Sequence, residues 1–188
     1  SFGNYDYGTN YRLEVTSLPA TQSCPITNAN GNLSDSTTPA SVTCSNLPTY
    51  QVGGTVSGLS GTLVLTNNGG DDETITANGS FNFDTELYSG QNYLVAVKDL
   101  PTGQNCSIER STGALGTDPI SNIVVDCDVN EYEIKGTVAS HDDTVTVTLT
   151  IGGVATIRTV TTGSSDFNFG SFSHGTVYAL TTNSPYGQ

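Results

Sequence analysis

Tyr50-Gln-Val-Gly-Gly-Thr-Val56 returns 82 residues later as Tyr132-Glu-Ile-Lys-Gly-Thr-Val138. Further along, Ser80-Phe-Asn-Phe83 returns as Asp166-Phe-Asn-Phe169, and Ser1-Phe2 looks like an earlier copy. Gly90-Gln-Asn-Tyr-Leu-Val-Ala-Val97 matches Gly8-Thr-Asn-Tyr-Arg-Leu-Glu-Val15 and, in part, Gly175-Thr-Val-Tyr-Ala-Leu180. Leu100-Pro-Thr-Gly-Gln-Asn-Cys106 matches Leu18-Pro-Ala-Thr-Gln-Ser-Cys24. Self-similarity at a fixed period marks a repeat architecture. The reading is three copies of one unit of about 82 residues. Residues 1–49 hold a back half, 50–131 a complete unit, and 132–188 a front half. Half a sandwich leaves core and strand edges bare. Either the chain is cut from a longer array, or neighbouring chains complete its halves head to tail.

Alternation within the copies predicts strands. Leu63 and Leu65 share one face of Gly61-Thr-Leu-Val-Leu-Thr66, and Val145, Val147, Leu149 and Ile151 share one face of 144–151. Tyr93, Val95 and Val97 do the same, as do Tyr11, Leu13 and Val15. β-Branched Thr and Val favour such strands. Asn67-Asn-Gly-Gly70, Asn78-Gly79, Ser89-Gly90 and Gly152-Gly153 are turn signals between them. No amphipathic helical stretch is present. About seven short strands per unit predict an all-β chain of tandem Ig-like antiparallel β-sandwich repeats.

The four cysteines, Cys24, Cys44, Cys106 and Cys127, fall at equivalent places in two copies. Four cysteines allow three pairings. The repeat selects Cys24–Cys44 and Cys106–Cys127, one disulfide per repeat. Each would close a loop of about 20 residues, worth roughly 3 kcal/mol in the chain-entropy model. Zinc binding would want clustered ligands, whereas these cysteines are far apart in sequence. Disulfides place the chain in an oxidising compartment, secreted or at the cell surface.

Composition removes other classes. Lys plus Arg number 5 against 18 Asp plus Glu, a formal net charge of −13. Five cations cannot make the basic stripe that nucleic acid requires, so no nucleic-acid partner is expected. No apolar run is long enough for a membrane-spanning helix. The opening residues, Ser1 to Gly8, lack the basic region of a signal peptide.

Among candidate sites, Asp71-Asp72-Glu73 follows a Gly-Gly turn and could offer oxygen ligands to Ca²⁺. The corresponding place in the third copy has no acid, which favours a solvated turn. His141-Asp142-Asp143 looks similar but has no counterpart in the middle copy. His174 stands where the middle copy has a turn residue. A catalytic site needs a nucleophile, a base and an orienting group. No motif supplies them, so no enzyme and no resident cofactor are expected. Tyr5, Tyr7, Tyr88 and Tyr186 could form a face for glycans or a host surface protein; covering seams between units is the plainer role. Asn32, Asn78 and Asn105 begin N-glycosylation triplets, which are frequent by chance in so Asn/Ser/Thr-rich a chain.

The middle copy carries a resemblance. The runs Gly54-Thr-Val-Ser-Gly-Leu-Ser-Gly-Thr-Leu-Val-Leu-Thr-Asn-Asn-Gly-Gly-Asp-Asp72, Ala77-Asn-Gly-Ser-Phe-Asn-Phe83 and Pro101-Thr-Gly-Gln-Asn-Cys106 resemble tandem repeats of large bacterial secreted and surface proteins. The resemblance implies Ig-like, disulfide-bearing modules strung into stalks, adhesins or fibres, with neighbouring repeats or subunits as partners. It implies no catalytic residues. The expected function is a structural module of such a fibre or stalk, with an adhesin module binding carbohydrate or host protein as the alternative.

Overall fold

The computed structural model describes residues 4–34, 39–139 and 141–183, and among these every regular element is a β-strand. Eight strands form the two main sheets of the middle segment: β1 (Val52–Ser57), β2 (Leu63–Asn67), β3 (Asp71–Ile75), β4 (Gly79–Asn82), β5 (Asn92–Asp99), β6 (Gln104–Glu109), β7 (Thr112–Ala114) and β8 (Ile120–Val129). They make two four-stranded sheets, ordered β4-β1-β8-β6 and β3-β2-β5-β7. Alternation aims one face of each sheet inward. Val52 and Val56 from β1, Leu63 and Leu65 from β2, Tyr93 and Val95 from β5, and Ile123 and Val125 from β8 join one buried cluster. The two sheets therefore share a core. Phe81 and Phe83 meet edge to face within it, with centroids 5.7 Å apart.

The strand order departs from the immunoglobulin pattern, in which the first strand lies beside the second. Here β1 lies between β4 and β8, and β2 belongs to the other sheet. The β1–β8 pair is parallel, with Ile123 opposite Gly54 and Val125 opposite Val56, so the expected all-antiparallel arrangement is corrected at this one place. The reason is physical: alternation reports which face a residue takes, not which strand lies beside it. The pairing requires glycine, because a Cβ on Gly54 would fall on the Ile123 carbonyl.

Shorter ladders precede this sandwich. Asn10–Arg12 pairs with Asn30–Asn32, Gln22–Ser23 with Ser45–Asn46, and Ile26–Thr27 with Ser41–Val42. After it come β9 (Glu131–Thr137), β10 (Val145–Ile151), β11 (Val154–Val160), β12 (Asp166–Ser173) and β13 (Tyr178–Asn183). β9 pairs with β12, while β10 lies between β11 and β13. Val147, Leu149 and Phe169 form a second, smaller core. Disulfides join Cys24 to Cys44 and Cys106 to Cys127. The stretch from β9 onward contains no cysteine, so the chain's two disulfides both lie before it.

Gly54→Ala should cost the middle sandwich at least as much stability as Leu65→Ala, for which about 2–5 kcal/mol is expected for a fully buried leucine. Urea denaturation of the two variants measures this. A loss below about 0.5 kcal/mol for Gly54→Ala, the range of neutral surface changes, would show that β1 and β8 separate freely.

Candidate functional site

Three carboxylates stand in a row on β3, and strand geometry disperses them. Asp71 and Glu73 face one side and Asp72 the other. Asp72 hydrogen-bonds to the Lys98 ammonium on β5, which lowers its pKa, with the nearby positive charge reinforcing the effect. Asp71 accepts the Thr85 backbone N–H at 3.0 Å. Partial burial raises the Glu73 pKa, and the charges of Asp84 and Asp71 raise it further. The carboxylates that approach Glu73 thus come from β3 and from the loop after β4. Among the described residues no group of three His, Cys, Asp or Glu is placed to hold a metal ion.

His141 closes a loop. Its Nδ1 lies 2.7 Å from the Asp143 carbonyl and its Nε2 2.8 Å from the Ser164 carbonyl. A neutral imidazole has one N–H, so it can donate to only one of them; the imidazolium donates to both. These two contacts raise the His141 pKa, with a smaller contribution from the Asp142 carboxylate. His174 lies in the turn between β12 and β13, and its backbone N–H donates to the Asn130 carbonyl at 2.7 Å.

The candidate tyrosines differ in setting. Tyr5 and Tyr7 are 63% and 75% exposed. Tyr88 is half-buried and pairs with Thr49 in a two-residue ladder. Tyr186 lies outside the described residues. Of the glycosylation triplets, Asn105 is exposed. The Asn32 carboxamide donates to the Gly8 carbonyl at 2.6 Å, and Asn78 is engaged with Leu59.

Sequence reading missed the buried polar groups. Gln104 is 4% exposed; its Oε1 accepts the Ser60 N–H and its Nε2 donates to the Gly58 carbonyl, both at 2.7 Å. Asn78 Oδ1 accepts the Leu59 N–H at 2.8 Å. Together they clamp the loop Gly58–Gly61 and sink Leu59 into the core. The recurrence of Gln104 as Gln22 was the signal available. A further feature is an open groove of about 470 Å³ on the last segment, lined by Leu149, Ile151, Val154 and Phe172 among others. Among the described residues no helix is long and apolar enough to cross a membrane.

No protein-family model and no curated protein matches the chain.

The raised His141 pKa sets the sign of a pH effect. The histidine's contribution to stability is fully present below its unfolded pKa, near 6.5, and is lost as pH rises through the higher folded value. His141→Ala should therefore lower the denaturation midpoint at pH 5.5 more than at pH 8.5. An equal loss at both values would remove the charged clasp.

Proposed function

We propose that the chain is a stretch of structural repeats, of about 82 residues each, from a bacterial extracellular fibre or adhesin stalk. The carrying observation is agreement of strand register between the stretches whose sequences match in part. Tyr11 lies opposite Gly31, and 82 residues later Tyr93 lies opposite Gly113. In both, the tyrosine ring covers the glycine so closely that a Cβ there would clash. Ile26 opposite Val42, beside Cys24–Cys44, corresponds to Ile108 opposite Val125, beside Cys106–Cys127. Tyr50 opposite Leu87 and Gly54 opposite Phe81 correspond to Tyr132 opposite Phe172 and Gly136 opposite Phe167. Equal registers support one unit with three occurrences.

Repeats that contact only their neighbours give a rod whose stability sums over units and joints. Disulfides suit an oxidising exterior, and few Lys and Arg leave few trypsin-type cleavage sites. Completion between neighbours is part of this reading. On the last segment, Tyr178 and Leu180 lie opposite Ile151 and Leu149 and are 52% and 42% exposed. Tyr93 and Val95, in the matching places, are 6% and 2% exposed within the full sandwich. A strand pair like β6–β8 would cover them, supplied by a longer array or by a neighbouring molecule. Intact mass together with negative-stain microscopy of native material tests the proposal. Regular rods or filaments are expected, and compact isolated particles would overturn it.

The exposure of Tyr5 and Tyr7 favours a second reading, an adhesin module for carbohydrate or host protein. It requires that Tyr5→Ser/Tyr7→Ser abolish glycan-array binding or cell adhesion shown by the unaltered chain; retained binding would count against it.

A further inference from the structure

We propose that the link at Asn130 is a closed joint: His174 docks on Gly103, Asn130 bonds to both sides, and the segments before and after it are held in one fixed orientation. The proposal rests on the repeat reading above. Asn130 stands between β8 and β9. Its N–H donates to the Gly103 carbonyl at 2.8 Å, and its carbonyl accepts the His174 N–H at 2.7 Å. A single linking residue is thereby tied to a turn of the middle segment and to a turn of the last.

The earlier link carries the same two bonds, divided between two residues. The Leu47 N–H donates to the Thr21 carbonyl at 2.8 Å, and the Pro48 carbonyl accepts the Ser89 N–H at 2.9 Å. The difference is one residue of chain: five residues separate Cys44 from Tyr50, and four separate Cys127 from Tyr132. Shortening the link brings the two turns together. Side chains at the facing positions follow this change. The longer link has Thr21 and Ser89. The shorter link has Gly103, at φ +74°, and His174. A Cβ on Gly103 would fall on the His174 imidazole. Tyr132 flanks the same ring, with centroids 6.0 Å apart and planes at 57°. The glycine makes the room, the ring fills it, and the two hydrogen bonds on Asn130 remove the free torsions about which the segments would otherwise swing.

The full 188-residue chain provides the test, through residual dipolar couplings and amide exchange by NMR. Segments 50–129 and 131–183 should share one alignment tensor. His174→Ser, which keeps the backbone N–H, and insertion of one residue after Val129 should each separate the tensors. Both should speed exchange of the His174 or Asn130 amide by about tenfold or more, as expected for local opening. Independent tensors in the unaltered chain, or a shared tensor surviving both His174→Ser and the insertion, would overturn the joint. Failure of the repeat reading shows differently: Leu47 and Ser89 amides would lack protection while those of Asn130 and His174 keep it.

Discussion

The middle sandwich depends on a backbone approach that side chains would forbid. β1 and β8 lie side by side in parallel because Gly54 presents no Cβ to the Ile123 carbonyl. Glycine inside a strand normally weakens it. Here it joins the start of the segment to its end, so that β4-β1 and β8-β6 become one sheet. That sheet in turn supplies half the cover for Leu63, Leu65, Tyr93 and Val95. The counterpart Gly136 serves a related purpose, with the Phe167 ring lying where its Cβ would be. The Phe-x-Phe pairs at the end of β4 and on β12 then meet edge to face at the same 5.7 Å separation, an arrangement favoured by the ring quadrupoles.

Face assignments were legible in the sequence because side-chain direction has period two. Leu63, Leu65, Val147 and Leu149 are buried, as their alternation implies. Val15, placed on the inward row with Tyr11 and Leu13, is exposed, since the ladder there covers only Asn10–Arg12. Strand neighbours were not legible, since no local pattern says that the first strand lies against the last. The role of Gly54 was hidden for the same reason: its partner is almost 70 residues away. The surroundings of the acidic run at 71–73 were not legible either. Adjacent in sequence means opposite faces on a strand, and Lys98, which neutralises Asp72, comes from another strand altogether.

The runs 54–70, 77–83 and 101–106 supply residues that lock the fold. Gly58 and Leu59 from one run, Asn78 from the second and Gln104 from the third meet at one loop. A buried amide with both ends bonded contributes about 0.5–1.5 kcal/mol per hydrogen bond, and leaving one end unpaired costs about 1–3 kcal/mol. Replacing any one member therefore penalises the others. The last segment lacks the Gly-Leu-Ser-Gly run, and its strands β10 and β11 are longer than the β2–β3 hairpin. Longer ladders supply order there by backbone pairing in place of the side-chain clamp.

Charge acts on a larger scale than any of these contacts. Three of the five cations are engaged locally, in Arg12–Glu14, Lys98–Asp72 and Lys135–Glu133. All three pairs are exposed and add little stability. The negative charge that remains is concentrated in residues 71–143, which hold 14 of the 18 carboxylates. Like-charged segments repel within a Debye length, about 8 Å at physiological salt. Repulsion of that range acts between neighbouring parts of this acidic stretch and not across the molecule. At Asn130, which Asp128 and Glu131 flank, the two hydrogen bonds and the filled contact therefore hold the two turns together against that local repulsion.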